Sequence, residues 1–208
     1  ALADFLNHQQ PDWRTDYRYC GWRPRWAPAI IDKLAHQLAT GINSACSLTA
    51  INLVALAMAG STRQVLTEDT LLERLQRWQQ LIRRCNPGKR LTLPDGSPSD
   101  WLARTEALQL SGRRSDPNIE LIMVSEYQAG RLAWYRNNAI HTIAMPSLLA
   151  CLLVHRKAVS IEQIQTVVAT LYPYLRSELF LAWTTSTIEA ATHGWIAALC
   201  DCGFIHRL

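Results

Sequence analysis

The chain has 208 residues, of which 49% are hydrophobic and 18% charged, and a net charge of +4. That is a globular composition, able to bury roughly 70% of its unfolded surface, and the charge is too mild to argue for nucleic acid although it permits attraction to anionic lipid head groups. Six scattered cysteines exclude a disulfide-dense small domain and fit reduced thiols, while eight tryptophans are unusual and belong at interfaces and membrane boundaries.

The chain begins at Ala1 without an initiator Met and is read as a fragment of a longer protein. No basic segment leads into an apolar one at the start, so no signal peptide is expected. Residues 1–26 carry Trp13, Tyr17, Tyr19, Trp22 and Trp26 among Arg and Asp, and read as an irregular lead-in whose aromatics clamp onto a neighbour. Pro28 suits a helix's first turn, and Ile30, Ile31, Leu34, Leu38 and Ile42 predict a helix over about Ala29 to Asn43.

Leu48 to Ala59 is apolar on every side and too short to span a bilayer, so it predicts a core helix ended by Gly60. Thr67 caps the next helix, with Glu68 and Asp69 in its first turn and Arg83 and Arg84 in its last, the signs that suit the helix dipole. Asn86 to Asp100 is the clearest loop, Asp100 to Leu110 a short helix, and Ser111 to Pro117 a turn. Ile119 to Val124 has the β-branched, apolar character of a strand. Arg131 to Tyr135 is the expected partner, making a hairpin over about residues 119–135.

Trp134 to Leu149 is the expected centre of the fold. A polar cluster (Arg136, Asn137, Asn138, His141) leads into an apolar run with Ile140, Ile143, Leu148 and Leu149 at helical spacing, which predicts a buried strut kinked at Pro146. Further on, Ser160 and Gln163 form a capping box, Pro173 is expected to interrupt that helix, and Tyr174 to Trp183 to resume it. Ser186 and Glu189 suggest a second box before a helix from Thr187 to Cys200. Phe204-Ile205 looks like a strand, which would give a winged-helix-like end. The expected class is therefore mainly α with a small hairpin, divided into residues 1–110 and 111–208 or forming one continuous accessory domain. The longest uncharged run, Asn137 to Arg156, holds Pro146 and two His and is not read as a transmembrane helix.

Three blocks carry a family resemblance. Tyr135-Arg136-Asn137-Asn138, then His141, then Pro146-Ser147-Leu148 resembles a signature of the membrane-associated bacterial glycerol-3-phosphate acyltransferases, in the part that follows their acyltransferase domain. Leu171-Tyr172-Pro173-Tyr174-Leu175 with Glu178 to Trp183 agrees, as does Pro11-Asp12-Trp13 with Arg25-Trp26-Ala27-Pro28. The blocks fall in the family's order at similar spacing. The resemblance implies a parent enzyme at the cytoplasmic face of the inner membrane, acylating glycerol 3-phosphate from acyl-CoA or acyl-carrier protein. It also implies that this portion is a partner of the acyltransferase domain, with peripheral contact to anionic membrane.

The family uses a His-x4-Asp pair, in which His is the base for the glycerol hydroxyl and Asp orients it. The positions five after His8, His36, His141, His155 and His193 are Trp13, Gly41, Pro146, Ser160 and Ala198, and His206 is too near the end. His8 and Asp12 are one residue short. The family's Gly-Gly-Arg-Ser block is also missing, so no catalytic residue carries over.

Arg136, Asn137, Asn138 and His141 are the candidate site, with two readings: a phosphate cradle at a helix start, or a hydrogen-bonded junction between helices. The junction is the favoured one. His193, Cys200, Cys202 and His206 as metal ligands are disfavoured, because Cys-x-Cys is tighter than the usual zinc spacing. No metal and no cofactor is expected. Arg83-Arg84, Lys89-Arg90 and Arg113-Arg114 read as solvated surface, with anionic lipid as the minority reading. A free-standing winged-helix-like binding module is the competing class. The helix from Thr187 to Cys200 has no Arg or Lys, which argues against nucleic acid.

Overall fold

The structure is a computed structural model that describes residues 2–19, 24–61, 64–86, 91–117, 119–154 and 158–206, without the side chains of 17–19. Cys20, Trp22, Lys89, Arg90 and His155 lie outside the described residues, as do the side chains of Tyr17 and Tyr19. The chain divides into two compact units, Ala1–Ile42 and Asn43–Leu208.

The first unit is helical from the start: α1 is Leu2–Gln9, α2 Trp13–Tyr19, and α3, Ala27–Ser44, runs out of it. The irregular lead-in expected there is thus corrected. Asn7 explains the ordering locally, since its Oδ1 accepts both the Trp13 indole N–H at 2.9 Å and Arg14 at 2.8 Å. The Arg14 guanidinium also lies 4.5 Å from the Trp13 ring centroid.

The larger unit is built around α4, Ala50–Ala59, where Leu53 and Val54 are fully buried and only the ends reach the surface. A helix apolar all round must be enclosed, and α4 is. Thr49 and Asn52 make its capping box. Helices α5, Glu68–Cys85, and α6, Pro98–Ala107, lie against it, as does α7, Glu126–Ala139. The three strands β1 (Val65–Thr67), β2 (Gly112–Asp116) and β3 (Ile119–Met123) form an antiparallel sheet in the order β1-β3-β2.

The hairpin is therefore β2 with β3. The strand expected at Arg131 to Tyr135 is helical, and the turn expected at Ser111 to Pro117 is a strand. Ser125 decides the first point, because its capping box with Gln128 starts α7 just after β3. Pairing decides the second, with Arg114 opposite Leu121. On the sheet's outside, Arg113 joins β2 to Glu68 of α5, Glu106 of α6 and Glu120 of β3.

After α7 come a 3-10 turn, Ile140–Thr142, then α8 (Ala144–Val154), α9 (Ile161–Leu179) and α10 (Ile188–Asp201). Two hydrophobic cores result. The first joins α4, α5, α6, β3 and α7; the second joins α5, α8, α9 and α10 around Tyr172 and Trp195. α5 serves both: Leu71, Leu75 and Ile82 face the first, Leu81 and Cys85 the second, and half-buried Trp78 packs on each.

Four further expectations change. Pro173 lies inside a continuous α9, on its exposed side, where water can satisfy the carbonyl that lacks a partner. α9 stops at Leu179 with Phe180 left-handed at φ 48°, so no helix continues to Trp183. Thr187, not Ser186, precedes α10, and no side chain caps that helix. Phe204-Ile205 is not a strand, so the described residues contain no wing at this end.

Candidate functional site

The polar cluster sits at a corner. α7 and its 3-10 turn meet α8 at 91°. The expected kink at Pro146 thus appears as a break three to four residues upstream, for a clear reason. Proline has no N–H for the Thr142 carbonyl, four residues earlier, and its ring crowds that carbonyl. The buried Asn86 amide donates to the Thr142 carbonyl instead, at 3.2 Å, and to the Ile82 carbonyl at 2.9 Å. The Thr142 hydroxyl turns back to the Ala139 carbonyl at 2.7 Å. Pro146 itself falls in the first turn of α8, where helical N–H groups have no intrahelical partner.

Each candidate residue has a place at this corner. Arg136 is half-buried and donates through Nε and Nη2 to Asn137 Oδ1 at 3.2 and 3.1 Å. Asn137 and Asn138 are exposed in the last turn of α7. His141 Nε2 lies 3.2 Å from the Asn43 carbonyl, and the Asn43 amide donates to the Leu179 carbonyl at 2.8 Å. The cluster is therefore at the end of a helix and not, as expected, at the start of one. Carbonyls and the negative end of the dipole face outward there, which disfavours an anion and favours Arg136.

The sequence reading missed three asparagines that tie this corner together. Asn43 and Asn86 donate to carbonyls at helix ends, and Asn52 donates to the Tyr135 carbonyl at 2.7 Å. Only Asn52 announced itself, three residues after Thr49 in a capping pattern. The Leu179 partner of Asn43 and the Thr142 partner of Asn86 are distant in sequence.

The cavities carry little acid–base chemistry. An open groove of about 1000 Å³ runs past Ser47–Ile51, Thr92–Asp95 and the Arg104 side of α6. Among the described residues its lining has one cation, Arg104, one carboxylate, Asp95, and no His or Cys. Arg136 borders a smaller cavity of about 130 Å³ with Met58, Ser61, Gln64 and Leu132. A third, about 300 Å³, lies between Arg74, Arg77, Trp78 and Phe204.

Cys85 and Cys202 are inert thiols of the interior. Burial, with Cys202 beside it, pushes the Cys85 thiol up to about 12, and burial also raises Cys202 and Cys46. Cys151 is exposed on α8. Of the four residues weighed as metal ligands, His193 and His206 are exposed while Cys202 is buried. No group of three His, Cys, Asp or Glu among the described residues is placed to hold a metal ion.

Set beside known proteins, residues 1–207 match the family described as the glycerol-3-phosphate acyltransferase C-terminal region, and the chain belongs to that family. Similar proteins include the glycerol-3-phosphate acyltransferase of Pseudomonas fluorescens (strain SBW25), 32% identical over 204 residues, which are 98% of this chain and 24% of the relative. That of Pseudomonas aeruginosa (strain UCBPP-PA14) is 32% identical over 206 residues, 99% of this chain and 25% of the relative. That of Ectopseudomonas mendocina (strain ymp) is 31% identical over 204 residues, again 98% and 25%. The chain thus spans about a quarter of the length of the curated relatives it matches.

Proposed function

We propose that the chain is the non-catalytic C-terminal support of a glycerol-3-phosphate 1-O-acyltransferase. The parent enzyme transfers an acyl group from acyl-CoA or acyl-carrier protein to the first hydroxyl of sn-glycerol 3-phosphate, giving lysophosphatidic acid for phospholipid synthesis. The observation that carries this reading is the family match along residues 1–207, in a chain whose histidines have no Asp at the catalytic spacing. The Arg136–His141 corner supports it, because Arg136 is spent on Asn137 and His141 on the Asn43 carbonyl at a helix end. The test is a transfer assay with labelled glycerol 3-phosphate and acyl-CoA. The isolated 208 residues are expected to give no lysophosphatidic acid, and measurable transfer by them would overturn the reading.

The support also touches anionic lipid peripherally, at the cytoplasmic face of the bacterial inner membrane. Among the described residues no single helix is long and apolar enough to cross a membrane; the bent pair Glu126–Thr142 and Ala144–Val154 passes that test only together. The net charge of +4 favours a negative surface. Flotation with phosphatidylglycerol vesicles at low salt is expected to carry the chain up, and phosphatidylcholine vesicles or high salt to leave it behind. Equal binding to both lipids, or to neither, would remove this part of the reading.

A further inference from the structure

Tyr127, Arg131, Trp134 and Asn138 occur at i, i+4, i+7 and i+11 of α7, forming a narrow strip along the helix. The opposite side of α7, with Leu132 and Ala139, is buried in the first core. Tyr127 is 75% exposed and Trp134 65%. The Arg131 guanidinium lies 5.9 Å from the Tyr127 ring centroid, and the Trp134 ring meets Tyr135 edge-on at 5.3 Å. Between the two exposed rings is Gly130, three residues after Tyr127 and four before Trp134. A Cβ there would meet nothing within 4 Å, so no contact among the described residues requires glycine in mid-helix. The result is a notch flanked by two aromatic side chains. Tyr, Trp and Arg around a close-approach point, rimmed by polar Asn137 and Asn138, is the composition of a protein interface. The platform is firm, held by the Ser125 capping box at one end and by Asn52 on the Tyr135 carbonyl near the other.

We propose that this strip is the docking surface for the acyltransferase part of the same enzyme. Its Tyr127 and Trp134 enter apolar pockets on that part, a partner side chain fills the Gly130 notch, and a partner carboxylate meets Arg131. The inference rests on the support reading above. The occupant follows from length: about three quarters of each relative lies outside the matched region, and that region is described as C-terminal. Most of such an enzyme is therefore tethered to α7 and reaches it at high effective concentration.

The test is photo-crosslinking in the uninterrupted gene product, with Trp134→p-benzoylphenylalanine and, in parallel, the same replacement at Tyr174, an equally exposed ring on α9. Mass spectrometry identifies what each captures in membranes containing the enzyme. Trp134 is expected to capture a peptide of the acyltransferase part, at several-fold higher yield than Tyr174. Capture by Trp134 of lipid, of a second copy or of nothing overturns the assignment. If Tyr174 then captures the acyltransferase part, only the choice of face falls; if neither does, the support reading falls too. A second variant, Gly130→Ala, separates docking from folding. It should raise the melting temperature of the isolated chain yet cut the Trp134 crosslink several-fold in the whole enzyme. An unchanged crosslink overturns the use of the notch.

Discussion

The Asn52 amide of α4 donates to the Tyr135 carbonyl of α7 at 2.7 Å, joining residues 83 apart in sequence. Its Oδ1 accepts the Thr49 N–H at 2.8 Å, so one buried side chain both caps the central helix and fastens α7 to it. Leu at this position removes both bonds and leaves the Thr49 N–H without that acceptor. Asn52→Leu is expected to cost about 1–3 kcal/mol, read as a lower urea midpoint. Asn52→Asp keeps an acceptor but loses the amide donor and adds a charge at a buried position. It should cost at least as much at pH 7.

Trp101 of α6 is fully buried in the first core, and its indole N–H donates to the Asp95 carbonyl at 2.9 Å. Trp101→Ala opens a large cavity beside α4 and is expected to destabilise by about 3–5 kcal/mol. Trp101→Phe keeps most of the apolar volume and gives up the hydrogen bond, so its midpoint should fall between the two. Denaturant titration of the three proteins checks the order.

Glu68 and Arg113 set part of the acid limb of stability. Hydrogen bonds from Arg113 are the main cause that holds the Glu68 carboxyl below its ordinary value of 4.5; burial opposes them and the guanidinium charge adds to them. A carboxyl with a lower value folded than unfolded stabilises the fold above 4.5 and loses that contribution as pH falls through the lowered value. Both side chains are partly exposed, which keeps the effect at about 1 kcal/mol or less. Arg113→Ala should therefore be slightly less stable than the parent at pH 7, with the gap closing in acid. A constant gap from pH 7 to pH 3 would show that the pair does not titrate with folding.

Thiol accessibility gives a test of the second core. Cys151 is exposed, whereas Cys85 and Cys202 are buried together with raised values. Of the described cysteines, iodoacetamide at pH 8 should alkylate Cys151 first and Cys85 last, the latter only under conditions that open the second core. Peptide mapping over time gives the order, and early modification of Cys85 would contradict the packing of α5 against α10.

Local chemistry was legible in the sequence and long-range chemistry was not. Thr67 and the Ser160/Gln163 box fixed two helix starts, because each cap is a contact between near neighbours. Ser125-x-x-Gln128 is the same signal, and its omission led to a strand being placed on α7. β2 escaped notice because Arg113, Arg114, Ser115 and Asp116 have no alternating apolar face. Its outer position in the sheet is what permits them. The stretch from Trp134 to Leu149 contains the right warning, Pro146, but its effect falls on Thr142, and the replacement donor is Asn86, 56 residues away. No window along the chain contains that pair. For the candidate site the residue types were readable, but their position at the end of α7 followed from that same helix start.

Trp78 stands where the two interiors meet on α5, and Leu75 and Leu81 on either side of it belong to different ones. A helix shared in this way behaves as a party wall, since neither room can lose it and remain standing. Residues 43–208 should accordingly melt in one step, with heat absorbed in a single peak, and a lesion such as Leu75→Ala should loosen α10 as readily as α4. Cooperativity of that kind would make the larger unit a stiff base from which strain at one side is felt at the other.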